Sequence, residues 1–290
     1  MSTELKKWLT ATRPWSIPAS AAPVIVIASW LYGHHAEARW SLAPLVLLSA
    51  VLFQLAGNLI SDYFDFSFGV DTVETAGSRT LPDKIFRPRT ILLYGLIILA
   101  IGSLSGLYLA WLSGPFLFYL GLAGCVATFF YYALKFRGAG VFLIFVIFGP
   151  GIALGTEYTL TCQLSWECLL LSLPIGLLTT AILHANDIRD QTHDQAAGVH
   201  TFALWLGPRN ASHFYRFLII TPYLLIGGYG FSGILPLTSL IILITLPMAR
   251  AAVHTVTDTR QLDSLDRITA RLQTVFSIFI TVSLLPQIGH

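Results

Sequence analysis

The chain has 290 residues, 55% hydrophobic and only 11% charged, with a formal net charge of +2 at pH 7. Ordinary soluble domains are about 25% charged, so a water-soluble globular protein is excluded. The net charge is uninformative as a total, its distribution along the chain is informative, and no nucleic-acid partner is expected.

Apolar runs close to the ~20 residues that cross a bilayer recur from end to end. The first follows Lys6, Lys7 and TRPWSIPAS with no small-residue cleavage site before a soluble domain, so a retained span is expected there and not a signal peptide. Spans are predicted at 15–33, 41–61, 90–111, 115–134, 139–157, 166–186, 212–231, 233–250 and 270–288. The expected class is an all-α polytopic membrane protein with about nine transmembrane helices. Counting alternate loops tests that number: of the 17 basic residues, only Arg39 falls on the opposite side. The positive-inside rule then places the N-terminus and the loops at 62–89, 135–138, 187–211 and 251–269 in the cytoplasm. An integral membrane protein of a bacterial inner membrane, with its chemistry facing the cytoplasm, is expected.

The end of the second span reads NLISDYFD, Asn58 to Asp65, and the end of the sixth reads HANDIRDQTHD, His184 to Asp194. Asn58 and Asp62 are four apart, as are Asn186 and Asp190, so a continuing helix puts each pair on one face. Asp65 and Asp194 follow on those faces, and each stretch runs into Gly-Val-polar-Thr, at Gly69–Thr72 and Gly198–Thr201. The pattern predicts a degenerate duplication within a single domain, 1–290, with halves of roughly 1–134 and 135–290, whose acidic faces oppose each other across a cavity.

Four inward carboxylates repel one another unless a cation neutralises them. Hard oxygen ligands suit Mg2+, which keeps waters and is completed by substrate phosphates, so a diphosphate bridged to the Asp pairs is the expected ligand. Arg79, Lys135 and Arg189 are the loop cations placed to hold its remaining charge. The separations of His184, His193 and His200 do not match a helical metal pair, and Cys125, Cys162 and Cys168 show no paired metal spacing, so neither set is expected to hold a metal.

NLISDYFDFSFGVDT, SRTL and NDIRDQTHDQAAGVHTFALWLG resemble the UbiA family of intramembrane prenyltransferases, as do the TRPWSIPASAAPV opening and the FGPGIALG run. The likeness is greatest to the 1,4-dihydroxy-2-naphthoate polyprenyltransferase branch of menaquinone biosynthesis. The resemblance implies a helical bundle around a central cavity open to lipid, and Mg2+-dependent transfer of a polyprenyl group from a polyprenyl diphosphate to an aromatic acceptor. By motif it implies that Asp62 and Asp65 with Asn58 hold one Mg2+–diphosphate unit, and Asp190 and Asp194 with Asn186 the other. It implies diphosphate contacts for Arg79, Lys135 and Arg13, and a wall tyrosine at Tyr131 or Tyr132. The chain departs from the family pattern at Ser61, where Asn is usual, and at Val141, where Asp is usual. Two rival readings share the acidic faces: a membrane terpene cyclase that quenches the same cation internally, and a cation-coupled transporter.

Overall fold

The computed structural model describes residues 3–35, 37–72 and 79–285. Ser78 of the SRTL run, the adjoining part of the 62–89 loop and the last residues of the span expected at 270–288 lie outside them. Among the described residues the regular structure is all helical, with no strand.

In chain order the helices are α1 (Thr3–Ala11), α2 (Ile17–His34), α3 (Ala43–Ser67), α4 (Pro88–Ser113), α5 (Pro115–Lys135), α6 (Gly140–Val146), α7 (Ile152–Thr161), α8 (Trp166–Arg189), α9 (Gln191–Ala196), α10 (Phe202–Phe231), α11 (Leu246–Thr255) and α12 (Leu265–Leu284). Proline opens α2, α3, α4, α5 and α11, where its missing N–H costs nothing and its fixed φ is already helical. Ser165 caps α8, its Oγ accepting from the Cys168 amide at 3.2 Å. Gly114, at φ 122°, is the single residue between α4 and α5 and turns them into a hairpin.

Seven stretches among the described residues are long and apolar enough to cross a membrane: Pro14–His34, Trp40–Ser67, Pro88–Ser113, Pro115–Lys135, Gly140–Thr161, Trp166–Arg189 and Leu237–Thr255. The spans expected at 212–231 and 270–288 are helical, in α10 and α12, but are not among the seven. α12 carries Arg267, Arg271, Gln273 and Thr274 toward an internal cavity, which dilutes its apolar character. α10 starts ten residues early and bends at Gly207, φ 72°, ahead of Pro208.

The main core joins α2, α8, α10, α11 and α12 around Leu31, Leu178, Tyr215 and Phe276. Tyr215 shares a 2.5 Å hydrogen bond with Thr269, and Tyr223 one with Thr245, pinning α10 to its neighbours, and each threonine hydroxyl also donates within its own helix, to Leu265 and Ile242. The FGPG run forms a π-helical turn, Ile147–Gly151, between α6 and α7. There a Cβ on Gly176 would stand 2.8 Å from Gly149 Cα, so α8 meets this turn backbone to backbone. Arg39, the lone cation of the opposite face, donates to the Leu112 carbonyl at 2.9 Å, to Ser113 Oγ at 3.0 Å and to the Thr159 carbonyl. It thereby closes the C-terminal ends of α4 and α7, where carbonyls lack helical partners.

Candidate active site

Both acidic stretches are helical beyond the predicted span ends. α3 runs through Asp62 and Asp65 to Ser67, and α8 runs to Arg189 with α9 following at once. Amide donors continue across the α8–α9 junction, Asp190 N to the Asn186 carbonyl and Asp194 N to the Asp190 carbonyl, each at 2.9 Å. Asn186, Asp190 and Asp194 therefore stack on one face as the spacing predicts.

The two stretches also end alike. Gly69 and Gly198 take positive φ, 75° and 72°, and the following Val70 and Val199 donate to the carbonyls of Asp65 (2.8 Å) and Asp194 (2.9 Å). This six-to-one closure is the Schellman cap, which requires a left-handed residue at the position glycine occupies. Both valines are buried.

One cavity of about 1230 Å3 is lined by Asn58, Asp65, Asn186, Asp190 and Asp194, and by Arg13, Tyr131, Lys135 and Arg189. Both acidic stretches thus open onto a single space. Lys135 Nζ lies 3.1 and 3.0 Å from the two oxygens of Asp65 and feels Asp194 and Asp187 from the other stretch. Ser61, at the position where the family pattern has Asn, donates to Asp65 Oδ2 at 3.1 Å.

Of the four acids expected to repel one another, three are paired with the chain's own cations, while Asp194 lies near Lys135 with Asp190 and Asp65 still opposing its charge. Arg13 pairs with Asp62, Lys135 with Asp65 at 3.0 Å, and Arg189 with Asp190 at 2.6 Å. Arg189 also reaches Asp266 on α12 at 2.7 Å, so its guanidinium is committed to two carboxylates. Among the described residues no three His, Cys, Asp or Glu side chains come together to cage a metal on their own.

Other assigned residues take different places. Asp62, 2% exposed, stands behind Arg13 and is not itself on the cavity wall. Asn58 donates to the Thr12 carbonyl at 3.0 Å and to Ser16 Oγ at 2.8 Å, tying the TRPWS segment across α3. Arg79 pairs with Asp83 at 3.0 Å, is half exposed, and does not line the cavity. Tyr131 lines it, whereas Tyr132 stacks on Phe64, ring centroids 3.6 Å apart, and does not. His184 is a buried histidine of α8 whose Nε2 lies 3.0 Å from the Ala211 carbonyl, so that nitrogen carries the proton.

Sequence reasoning passed over Asp71 and Asp187, both on the cavity wall, and the α12 pair Arg267 and Arg271. Asp187 was within reach: it lies three residues before Asp190 and seven before Asp194, on the same helical face. Burial pushes the Asp71 carboxyl up to about 7, with Asp65 adding and Arg13 opposing. Burial likewise pushes Asp194 up to about 6 against the pull of Lys135.

From this polar end the cavity continues along apolar wall residues such as Val46, Phe53, Leu109, Leu117 and Ile152. Leu117 and Lys135, near the two ends of α5, both line it, and that length of α-helix is about 27 Å. The cavity therefore runs along most of α5, a length close to the hydrocarbon thickness of about 30 Å.

The UbiA prenyltransferase family matches residues 21–276. UbiA prenyltransferase domain-containing protein 1 of Danio rerio is 32% identical over 259 residues, 86% of this chain and 75% of the fish protein. The 1,4-dihydroxy-2-naphthoate octaprenyltransferase of Mycobacterium tuberculosis is 34% identical over 221 residues, 73% of this chain and 74% of its own. Among solved structures, a UbiA homolog from Archaeoglobus fulgidus bound to DMAPP and Mg2+ superposes with a TM-score of 0.65 at 15% identity, over 95% of this chain and 99% of that one. With a transmembrane bundle, two acidic stretches on one cavity and these relatives, the chain belongs to the UbiA prenyltransferase family and is an integral membrane enzyme that transfers prenyl groups.

Proposed function

We propose that the enzyme transfers a polyprenyl group from a polyprenyl diphosphate to 1,4-dihydroxy-2-naphthoate, with Mg2+, at the cytoplasmic face of a bacterial inner membrane. One observation carries this reading: a single cavity joins both acidic stretches at its polar end to a membrane-deep apolar trough. The first suits a diphosphate headgroup and the second a prenyl tail. The named activity of the mycobacterial relative supports the naphthoate acceptor, and the loop charge bias supports the cytoplasmic side.

The donor set fits Mg2+. The wall offers carboxylate and amide oxygens from Asp65, Asp190, Asp194, Asn58 and Asn186. Mg2+ asks for only one or two carboxylates and fills its remaining positions with water and substrate phosphates, so acids that form no cage alone suffice. Asp62 joins this set once Arg13 turns to the diphosphate. When bound, Mg2+ supplies Lewis-acid stabilisation of the departing diphosphate.

The chain's own residues do the rest. Lys135 and Arg13 balance phosphate charge from the cavity wall, and Arg189 holds Asp190 in place through its second bond to Asp266. Arg79 reaches the diphosphate only if the 79–83 turn moves. Tyr131 closes the wall beside Lys135. The apolar trough keeps bulk water from the allylic cation, so that the electron-rich ring carbon of the acceptor attacks it instead, and loss of the ring carboxylate as CO2 leaves the prenylated naphthoquinol. The two matching Schellman caps support a duplicated origin for the acidic stretches, with halves near 1–134 and 135–290.

Purified protein given a polyprenyl diphosphate, dihydroxynaphthoate and Mg2+ should yield a prenylated naphthoquinol by mass. Asp62→Ala and Asp190→Ala should each abolish turnover in protein that still folds. Near-normal turnover in either variant overturns these roles, and product formed from the diphosphate alone replaces transfer by cyclisation.

A further inference from the structure

Among the described residues, five arginine and lysine side chains line the cavity: Arg13, Lys135, Arg189, Arg267 and Arg271. The first three are committed to carboxylates: Arg13 to Asp62, Lys135 to Asp65, and Arg189 to Asp190 and Asp266. The two on α12 are not. The Arg267 side chain donates only to the Asp263 carbonyl, at 3.4 Å, and the Arg271 side chain has no hydrogen bond, ion pair or ring contact. Both residues are exposed, and both line the cavity, so their free donors face space that a ligand can fill.

Two contacts fix where this part of α12 lies. Asp266 is 2.7 Å from Arg189, which holds Asp190. Gln273 Nε2 donates to the Pro18 carbonyl, in the first turn of α2, at 3.5 Å. Between residues 266 and 273 the helix rises about 10 Å, and Arg267 and Arg271 lie within that rise. The pair therefore stands at the polar end of the cavity, beside the second acidic stretch. Four apart on one helix, the two side chains are neighbours of like charge, which is destabilising by itself. An anion between them replaces that repulsion with charge-assisted hydrogen bonds.

The reaction proposed above brings two anions into this space, the diphosphate and the carboxylate of the acceptor. The cations acting most strongly on Asp71 and Asp194 are Arg13 and Lys135, so the diphosphate end has its own pair. An acceptor carboxylate set among acids and a diphosphate is repelled unless a further positive charge meets it. We infer that Arg267 and Arg271 bind the carboxylate of the aromatic acceptor and so restrict the enzyme to acceptors that carry an acid. The inference rests on the aromatic-acid acceptor proposed above and names the residues that recognise it. Each guanidinium offers a planar fork matched to a carboxylate. Because Asp266 and Arg189 border the pair, the bound acid is held near Asp190, at the end of the cavity where the diphosphate leaves.

Two inhibitors with the same ring test this by charge alone: 2-naphthoate and the neutral 2-naphthamide. Each competes with dihydroxynaphthoate in the Mg2+-loaded enzyme at fixed polyprenyl diphosphate. In the wild type the acid should inhibit at least about tenfold more tightly than the amide, the size of charge-assisted hydrogen bonds. Arg267→Gln and Arg271→Gln should each lower that ratio by about fivefold and raise KM for dihydroxynaphthoate to match. Inhibition by 2-naphthamide and KM for the polyprenyl diphosphate should stay unchanged, whereas a merely structural role weakens both probes alike. Equal inhibition by the two probes in the wild type overturns the inference even if a variant fails to fold. A ratio kept in both variants also overturns it. A raised KM for the polyprenyl diphosphate then gives the pair to the donor, and turnover lost only in nanodiscs rich in anionic lipid gives it to the membrane. Either result leaves the transfer reaction standing. Wild-type enzyme that prenylates no naphthoate overturns the acceptor class and this inference together.

Discussion

Lys135 Nζ holds both oxygens of Asp65, at 3.1 and 3.0 Å, across two helices whose residues are 70 positions apart in the chain. Both side chains are largely buried, so neither charge has water to fall back on. Lys135→Met should leave Asp65 as an unpaired interior carboxylate, and breaking one side of such a pair costs about 3–5 kcal/mol. Thermal melts should show that loss, and turnover should fall at least about a hundredfold, in line with removal of a charge that stabilises a leaving group. Adding Asp65→Asn to Lys135→Met should recover much of the melting temperature and none of the turnover. Recovery of both would make the pair structural only.

Arg13 pairs with Asp62 from a left-handed backbone position, φ 54°. Arg13→Gly keeps that turn, since glycine accepts positive φ freely, and removes only the charge. Turnover should drop by about tenfold or more, as expected for a charge-assisted contact, and the melting temperature should fall because the buried Asp62 loses this ion pair. Arg13→Ala, which keeps the Cβ that Arg13 already carries in the left-handed region, should be less stable than Arg13→Gly by about 1–2 kcal/mol.

The raised carboxyls predict a pH-dependent response to metal. Asp194 and Asp71 titrate near 6 and 7 in the folded protein, against 3.8 as ordinary carboxyls. A raised folded value stabilises the protein fully below about pH 4, and that stability is lost as pH rises through 6 and 7. Mg2+ binds the ionised forms, so its own stabilising effect must grow over the same window. Melting curves with and without Mg2+ should separate more at pH 8 than at pH 5.5. The opposite order would place the metal on other groups.

Two glycines should behave in opposite ways. At Gly176 an added Cβ would sit 2.8 Å from Gly149 Cα, against backbone that cannot yield. Gly176→Ala should therefore destabilise by about 1–3 kcal/mol. Gly124 lines the cavity, with nothing within 4 Å of its added Cβ. Gly124→Leu should fold normally and narrow the trough, reducing turnover of long prenyl diphosphates more than of short ones. Equal effects on donors of every length would move the tail elsewhere.

Arg39 lies at the other membrane face and touches only helix ends. Arg39→Ala should lower the melting temperature and leave KM for both substrates unchanged.

Much of this molecule is legible along the chain. Hydropathy is a local property of each segment, so the positions of the apolar helices can be read before any contact is known. Helical period is local too, and it places Asn58, Asp62 and Asp65 on one face and Asn186, Asp190 and Asp194 on another. The glycines that end both stretches announce themselves by the backbone that a Schellman cap demands. Which cation answers which carboxylate is a different kind of fact. Arg13 with Asp62, Lys135 with Asp65 and Arg189 with Asp266 are set by how distant helices pack, and no spacing along the chain encodes that distance. The same packing separates Tyr131 from Tyr132 and keeps Arg79 off the cavity. Local solvation and periodicity determined the helices and their acidic faces; the burial of charges against one another, a property of the assembled bundle alone, decided the site.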